Sequence, residues 1–133
     1  VAIDPNGRGD VTKTNIRWKA EGNMPDICSP VSNGEFIFTL DSQGRLSCYK
    51  VSDGTMVWQE AIKESFMASP SLAGDRLYLL SEKGEMTIAE FANGYTEVGR
   101  CQLGEKCYAS PAFADGRIYI RTGKNLYCIG NRN

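Results

Sequence analysis

The residues able to do chemistry in this sequence are five cysteines and a scatter of carboxylates, with no histidine at all. Without histidine, the commonest general base and the commonest zinc ligand are missing. No Ser-His-Asp or Cys-His arrangement can form within the chain. The cysteines, Cys28, Cys48, Cys101, Cys107 and Cys128, are neither adjacent nor spaced as C-x-x-C. Their odd number leaves at least one thiol unpaired in a monomer. Cys101 and Cys107 lie near enough to bridge across a turn; the alternative is that the cysteines serve as small buried hydrophobes. Asp41, Asp53, Glu82, Glu85, Glu90 and Asp115 fall at expected turns or strand ends, where solvated carboxylates are the ordinary finding. No catalytic residue and no metal ligand is therefore assigned, and no cofactor-binding residue is specified.

Composition narrows the field further. The 133 residues carry a net charge of -1 and show no basic stripe, which argues against nucleic acid as a partner. No apolar run approaches the roughly 18 residues of a membrane helix. Val1 opens the sequence with no signal-like segment, so the start fixes no compartment. Arg8-Gly9-Asp10 lies in a stretch rich in turn residues, and 1–13 reads as a flexible lead-in rather than a receptor motif. The same residues lack the Lys-Ser/Thr of a phosphate loop.

The elements that would position any site are written three times. Ser29-Pro30, Ser69-Pro70 and Ser110-Pro111 recur at spacings of 40 and 41 residues. Each is followed by a turn pair: Asn33-Gly34, Gly74-Asp75 and Asp115-Gly116. Then come the apolar runs FIFTL, LYLLS and IYIRT, rich in β-branched and aromatic residues. A second polar turn follows each run, and then a further strand: RLSCYKV, EMTIAEF and NLYCIG. The first two copies continue through Gly54 to Trp58 and through Gly94 to Val98, which adds a fourth strand. Trp18 closes IRWKA in the same way. No sustained helical spacing of apolar residues appears. A period near 40 with four short strands per unit predicts an all-β fold of β-propeller blades, each of four antiparallel strands. A single sheet cannot bury both faces, so blades must stack. Each Pro would start or edge an inner strand, where its missing N–H is tolerated. Trp58 would dock between its own blade and a neighbour, and Val98 would fill that place less well.

The eleven residues CYKVSDGTMVW, ending at Trp58, resemble the tryptophan-docking motif of the PQQ-type, quinoprotein-like propeller repeat, roughly A-x-D-x-x-T-G-x-x-x-W. Cys48 stands at the Ala position, Lys50 at the Asp, Asp53 at the Thr, Gly54 at the Gly and Trp58 at the Trp. The second copy places Ile88, Glu90, Gly94 and Val98 at the corresponding positions. Ser69-Pro70 through Tyr78 resembles the family's SP-x-x-x-x-G-x-x-Y strands. The resemblance covers roughly 14–129. It implies either of two kinds of protein. One is a quinoprotein alcohol or sugar dehydrogenase with PQQ and calcium on the ring axis, of which this chain would be a C-terminal piece. Its catalytic Asp, metal ligands and adjacent Cys-Cys pair have no match here. The other is a non-enzymatic propeller, such as the scaffold of outer-membrane protein assembly, whose loops bind protein or peptide partners. The second is the leading expectation, with a periplasmic or otherwise exported location implied by the resemblance.

The expected domain plan follows from these units. Blades are expected at 14–133, with repeats at about 26–65, 66–106 and 107–129. Residues 14–20 would supply the outer strand of a blade split between the two ends of the chain. That makes twelve strands, about three blades' worth, which is too few for an ordinary closed ring. The chain would be a partial propeller completed by further blades of a longer parent, or half of a six-bladed ring closed by a second copy. Arg121 would line the axial channel or face solvent at a strand end. Tyr49, Tyr78, Tyr108, Tyr119 and Tyr127 would form an aromatic surface or pack in core and rim.

Overall fold

A computed structural model describes residues 1–22 and 24–130. Among them there is no helix, and thirteen strands form four antiparallel sheets. The first blade takes β3 (Val31–Ser32), β4 (Phe36–Leu40), β5 (Arg45–Lys50) and β6 (Met56–Ala61), hydrogen-bonded in that order. The second repeats it with β7 (Ser71–Ala73), β8 (Arg76–Leu80), β9 (Glu85–Glu90) and β10 (Thr96–Gln102). The third has three strands, β11 (Ala112–Ala114), β12 (Arg117–Arg121) and β13 (Leu126–Ile129). A two-stranded sheet precedes them, β1 (Ala2–Ile3) with β2 (Ile16–Trp18).

Turn chemistry sets the strand pairing. Asp115 and Gly116 both have positive φ, 49° and 69°, as a two-residue hairpin turn of type I′ requires. Pro30, Pro70 and Pro111 each stand one residue ahead of an inner strand, so their missing N–H costs no ladder bond. Between β4 and β5, and again between β8 and β9, the turn ends in a glycine of positive φ: 88° at Gly44 and 78° at Gly84. A Cβ at either would run into the backbone of the segment leading to the next blade, at Ile62 O or Glu105 O.

Stacking explains why the strands are apolar on both faces. Leu77 and Leu79 of β8 join Phe38, Leu40, Leu46 and Cys48 of the first blade in one core cluster. Leu80 and Met86 join Ile120 in the other, against the third blade. The Phe38 and Phe91 rings cross the first seam at 4.7 Å, and Tyr78 and Phe113 cross the second at 4.8 Å. Trp58 sits in the first seam, 6.0 Å from Phe38 and 6.3 Å from Tyr95 of the next blade. Val98, its counterpart in the second blade, remains 45% exposed.

Two expectations change at the amino end. Residues 1–13 do not simply lead in: they hold β1, and Asp4 there pairs with Arg17 at 2.8 Å. Residues 14–20 do not complete the last blade; β2 pairs with β1, Ala2 opposite Trp18 and Ile3 opposite Ile16. The reason is local. Closing a short loop onto Ala2 costs less chain entropy than reaching across the whole chain. Trp18 then docks on the first blade. Its indole N–H donates to Val51 O at 2.8 Å, and its ring lies where a Cβ on Gly54 would be.

Candidate functional site

The inner ends of the blades share one construction. The Ser29 N–H donates to Ser69 Oγ at 2.9 Å, and the Ser69 N–H donates to Ser110 Oγ at 2.9 Å. The serine of the Ser-Pro pair therefore stitches each blade to the one before it. The Cys28 thiol adds a bond of the same sense to Ala68 O at 3.4 Å. Just ahead of each pair the chain alternates. Cys28, Phe66, Ala68 and Cys107 point inward and are buried, while the residues beside them point out. Those outward residues are Ile27, Met67 and Tyr108, exposed by 50%, 38% and 55%. They occupy the same position in successive repeats. At this position each blade exposes an apolar side chain beside the hydrogen-bonded frame, while Met56, Val57, Val98, Leu126 and Ile129 are exposed elsewhere on the blades. Contiguous exposed apolar patches mark interaction surfaces, and Met and Tyr are favoured at them.

The residues weighed in the sequence fall elsewhere, in structural roles. Asp41 accepts from the N–H groups of Gln43 and Arg45 and closes its turn. Asp53 accepts from Thr55 N–H, which holds its carboxyl below the ordinary value. Glu85 and Glu90 pair with Arg100 and Arg76. Glu82 and Asp115 lie in turns. Cys28, Cys48 and Cys107 are buried, and burial pushes their thiols up, Cys48 to about 11. Cys101 is exposed on β10, and Cys107 points inward to donate to Arg121 O at 3.1 Å, so the two form no bridge. The tyrosines are not one surface. Tyr49 is buried, Tyr78 fills a seam, Tyr127 bonds to Glu105, and only Tyr108 joins the exposed row. Arg121 is exposed at the end of β12. In the Arg-Gly-Asp stretch, Asp10 accepts from Thr12 N–H and Oγ1–H, which folds it into a local turn.

Glu105 is a hub that the sequence did not announce. It accepts from Thr122 Oγ1–H at 2.7 Å, Tyr127 O–H at 3.0 Å, Lys124 N–H and the Asn125 amide. These donors, Thr122 first, lower its pKa. Its position just ahead of the third Ser-Pro pair ties the exposed row to the turn below.

PQQ would need convergent cations for its carboxylates and a set of oxygen ligands for calcium. Among the described residues no three His, Cys, Asp or Glu side chains converge to hold a metal. The carboxylates weighed in the sequence lie apart, Asp41, Asp53, Glu82 and Asp115 in turns and Glu85 and Glu90 at the two ends of β9.

Stacked antiparallel blades of this kind define a β-propeller repeat protein. A PQQ-type family model described as outer membrane protein assembly factor BamB matches residues 1–97, and the chain belongs to that family. BamB from Moraxella catarrhalis has the same fold, with a TM-score of 0.70 at 19% identity over 86% of this chain and 36% of that one. Quinohemoprotein alcohol dehydrogenase ADHIIG from Pseudomonas putida HK5 is similar at a TM-score of 0.67 and 10% identity, over 80% of this chain and 18% of its own. The C-terminal WD40 domain of Sif2 gives 0.59 at 10% identity, over 75% and 33%. At such identities the likeness is one of fold. The chain spans little more than a third of the BamB structure and less of the other two. No curated protein sequence matches it. Among the described residues no helix is long and apolar enough to cross a membrane.

Proposed function

We propose that this chain is a non-enzymatic binding module of an exported, periplasmic protein, and that it holds a protein partner along the row Ile27, Met67 and Tyr108. One observation carries the reading: each blade exposes a large apolar side chain at the same place, beside the Ser-Pro frame. The family's description, an outer membrane protein assembly factor, supports a protein partner and an envelope location. An extended apolar segment suits a row of spaced contacts better than a globular face does.

The test uses an array of peptides from the soluble segments of outer-membrane assembly proteins. Peptides should bind the parent chain, and Ile27→Ser, Met67→Ser and Tyr108→Ser together should weaken binding by about tenfold or more. The substituted side chains are exposed, so the urea midpoint should stay within the small range of surface changes. Equal binding by both proteins would sink the proposal. The rival reading, a C-terminal piece of a PQQ-dependent dehydrogenase, is tested by titrating PQQ with calcium and following tryptophan fluorescence. Saturable quenching would replace the present reading.

A further inference from the structure

We propose that Asn93 is a site of spontaneous covalent modification, where the Gly94 nitrogen closes a ring on the side-chain amide, while the same residue pair elsewhere in the chain is held back by its turn. Asparagine followed by glycine occurs three times, at Asn6-Gly7, Asn33-Gly34 and Asn93-Gly94. The chemistry open to each pair is the same. Glycine has no side chain to shield its nitrogen. That nitrogen can attack the Cγ of the asparagine before it. An N–Cγ bond forms, the Cγ–Nδ2 bond breaks, and ammonia leaves with the proton of the glycine N–H. Water then opens the cyclic imide at either carbonyl. One opening gives aspartate. The other carries the main chain through the former side chain and lengthens it by one methylene. Water is the only co-reactant, so the freedom of each carboxamide and each glycine nitrogen decides which pair reacts.

The fold treats the three pairs differently. Asn33 Oδ1 accepts from the Glu35 N–H at 3.0 Å and the Phe36 N–H at 2.8 Å. Those bonds shape the turn that starts β4, and the Gly34 N–H is itself engaged by Ser32 Oγ at 3.0 Å. Asn6 donates through Nδ2 to Asp4 Oδ1 at 2.9 Å. Gly7 lies so close to Asn15 and Val11 that a Cβ there would strike both side chains. Asn93 has neither restraint. It is exposed, and among the described residues its carboxamide makes no hydrogen bond. A Cβ on Gly94 would meet nothing within 4 Å, and the Gly94 N–H holds only a long bond, 3.3 Å, to Phe91 O. Freeing the Asn33 carboxamide means breaking two hydrogen bonds, which slows its ring closure by about tenfold or more relative to Asn93.

The place of Asn93 gives the reaction a consequence. Phe91 and Tyr95 stand two residues to either side of it. The Phe91 ring lies 4.7 Å from Phe38, and the Tyr95 ring 6.3 Å from Trp58. Both rings reach across the first seam from one short turn. A methylene added to the main chain between them puts the two out of step and loosens the stacking of the first blade on the second.

The experiment incubates the folded chain and the chain in urea side by side in mildly alkaline buffer, then follows tryptic peptides by mass spectrometry. The three pairs fall in separate peptides, 1–8, 20–45 and 84–100, and fragmentation assigns the residue. Each event adds about 1 Da. In the folded chain, 84–100 should gain that mass about tenfold faster than 20–45 or 1–8. In urea the three rates should converge. Reaction of 20–45 or 1–8 as fast as 84–100 in the folded chain overturns the proposal, and so does the same ratio of rates in urea. The modified chain, separated by ion exchange, is then compared with Asn93→Asp, which carries the new charge without the extra methylene. The modified chain should unfold at the lower urea midpoint. Equal midpoints overturn the loosening of the first seam.

Discussion

Gly84→Ala and Gly116→Ala separate the cost of backbone conformation from the cost of blade stacking. Both glycines have positive φ, 78° and 69°. An alanine at either meets the same penalty for left-handed backbone, about 1–2 kcal/mol. Both changes also stiffen the unfolded chain by the same small amount, which cancels in the comparison. The surroundings differ. A Cβ on Gly116 meets nothing within 4 Å, whereas one on Gly84 would enter the carbonyl of Glu105. That carbonyl belongs to the segment joining the second blade to the third. The same segment is pinned by Leu103 N–H donating to Gly84 O at 2.9 Å and by Cys107 N–H donating to Glu82 O at 3.0 Å. It cannot give way without loosening the third blade. Forcing a main-chain shift of this kind costs about 1–3 kcal/mol. Gly84→Ala should therefore destabilise by about 2–5 kcal/mol and Gly116→Ala by about 1–2. Urea unfolding followed by tryptophan fluorescence and far-UV circular dichroism gives both values. Equal losses would refute the reasoning, because the inter-blade segment would then bear no load at Gly84.

Other consequences can be checked with the same tools. Phe38→Ala empties the first seam, where Phe38 is fully buried against Phe91 and Trp58, and should cost about 3–5 kcal/mol in urea. Glu105 has a folded-state pKa below its unfolded value, because Thr122 and its other donors favour the charged form. Its contribution is present above the unfolded carboxylate value, about 4.3, and is lost as pH falls through the lower folded value. Glu105→Gln should flatten that acid limb of the urea midpoint against pH; an unaltered limb would remove Glu105 from the account. A thiol-reactive disulfide reagent at pH 8 should label Cys101 and Cys128 in the folded chain and reach Cys28, Cys48 and Cys107 only on unfolding.

How much could be read beforehand divides by what each feature depends on. The blades were legible because turn residues and alternating apolar residues recur at nearly fixed spacing, and hairpins are decided locally. Leu77 to Leu80 also announced its own burial on two faces, since consecutive apolar residues in a strand point both ways. The amino-terminal pair was missed for the opposite reason. β1 is only two residues long, and a stretch of polar turn residues separates it from β2. Ala2-Ile3-Asp4 nevertheless spells the A-x-D of the docking motif, with Trp18 at its end, so the signal lay in the repeat rather than in strand propensity.

The exposed row was hidden for a different reason. Ile27, Met67 and Tyr108 share a position but not a residue type, and apolar residues beside a buried inner strand look like core. Only the direction of the side chain distinguishes them, and that direction is set by the neighbours. Cys28, Phe66 and Cys107 turn inward because the stacked blades need filling there, which sends the adjoining residue out. Arg121 obeys the same geometry in reverse. Its place in the repeat belongs to leucine, Leu40 and Leu80 in the other copies, and its exposure at the end of β12 shows only once the strands are paired. Sequence repetition thus fixes the scaffold, while the exposed chemistry resides where the repeat's positions are kept and its residues are not.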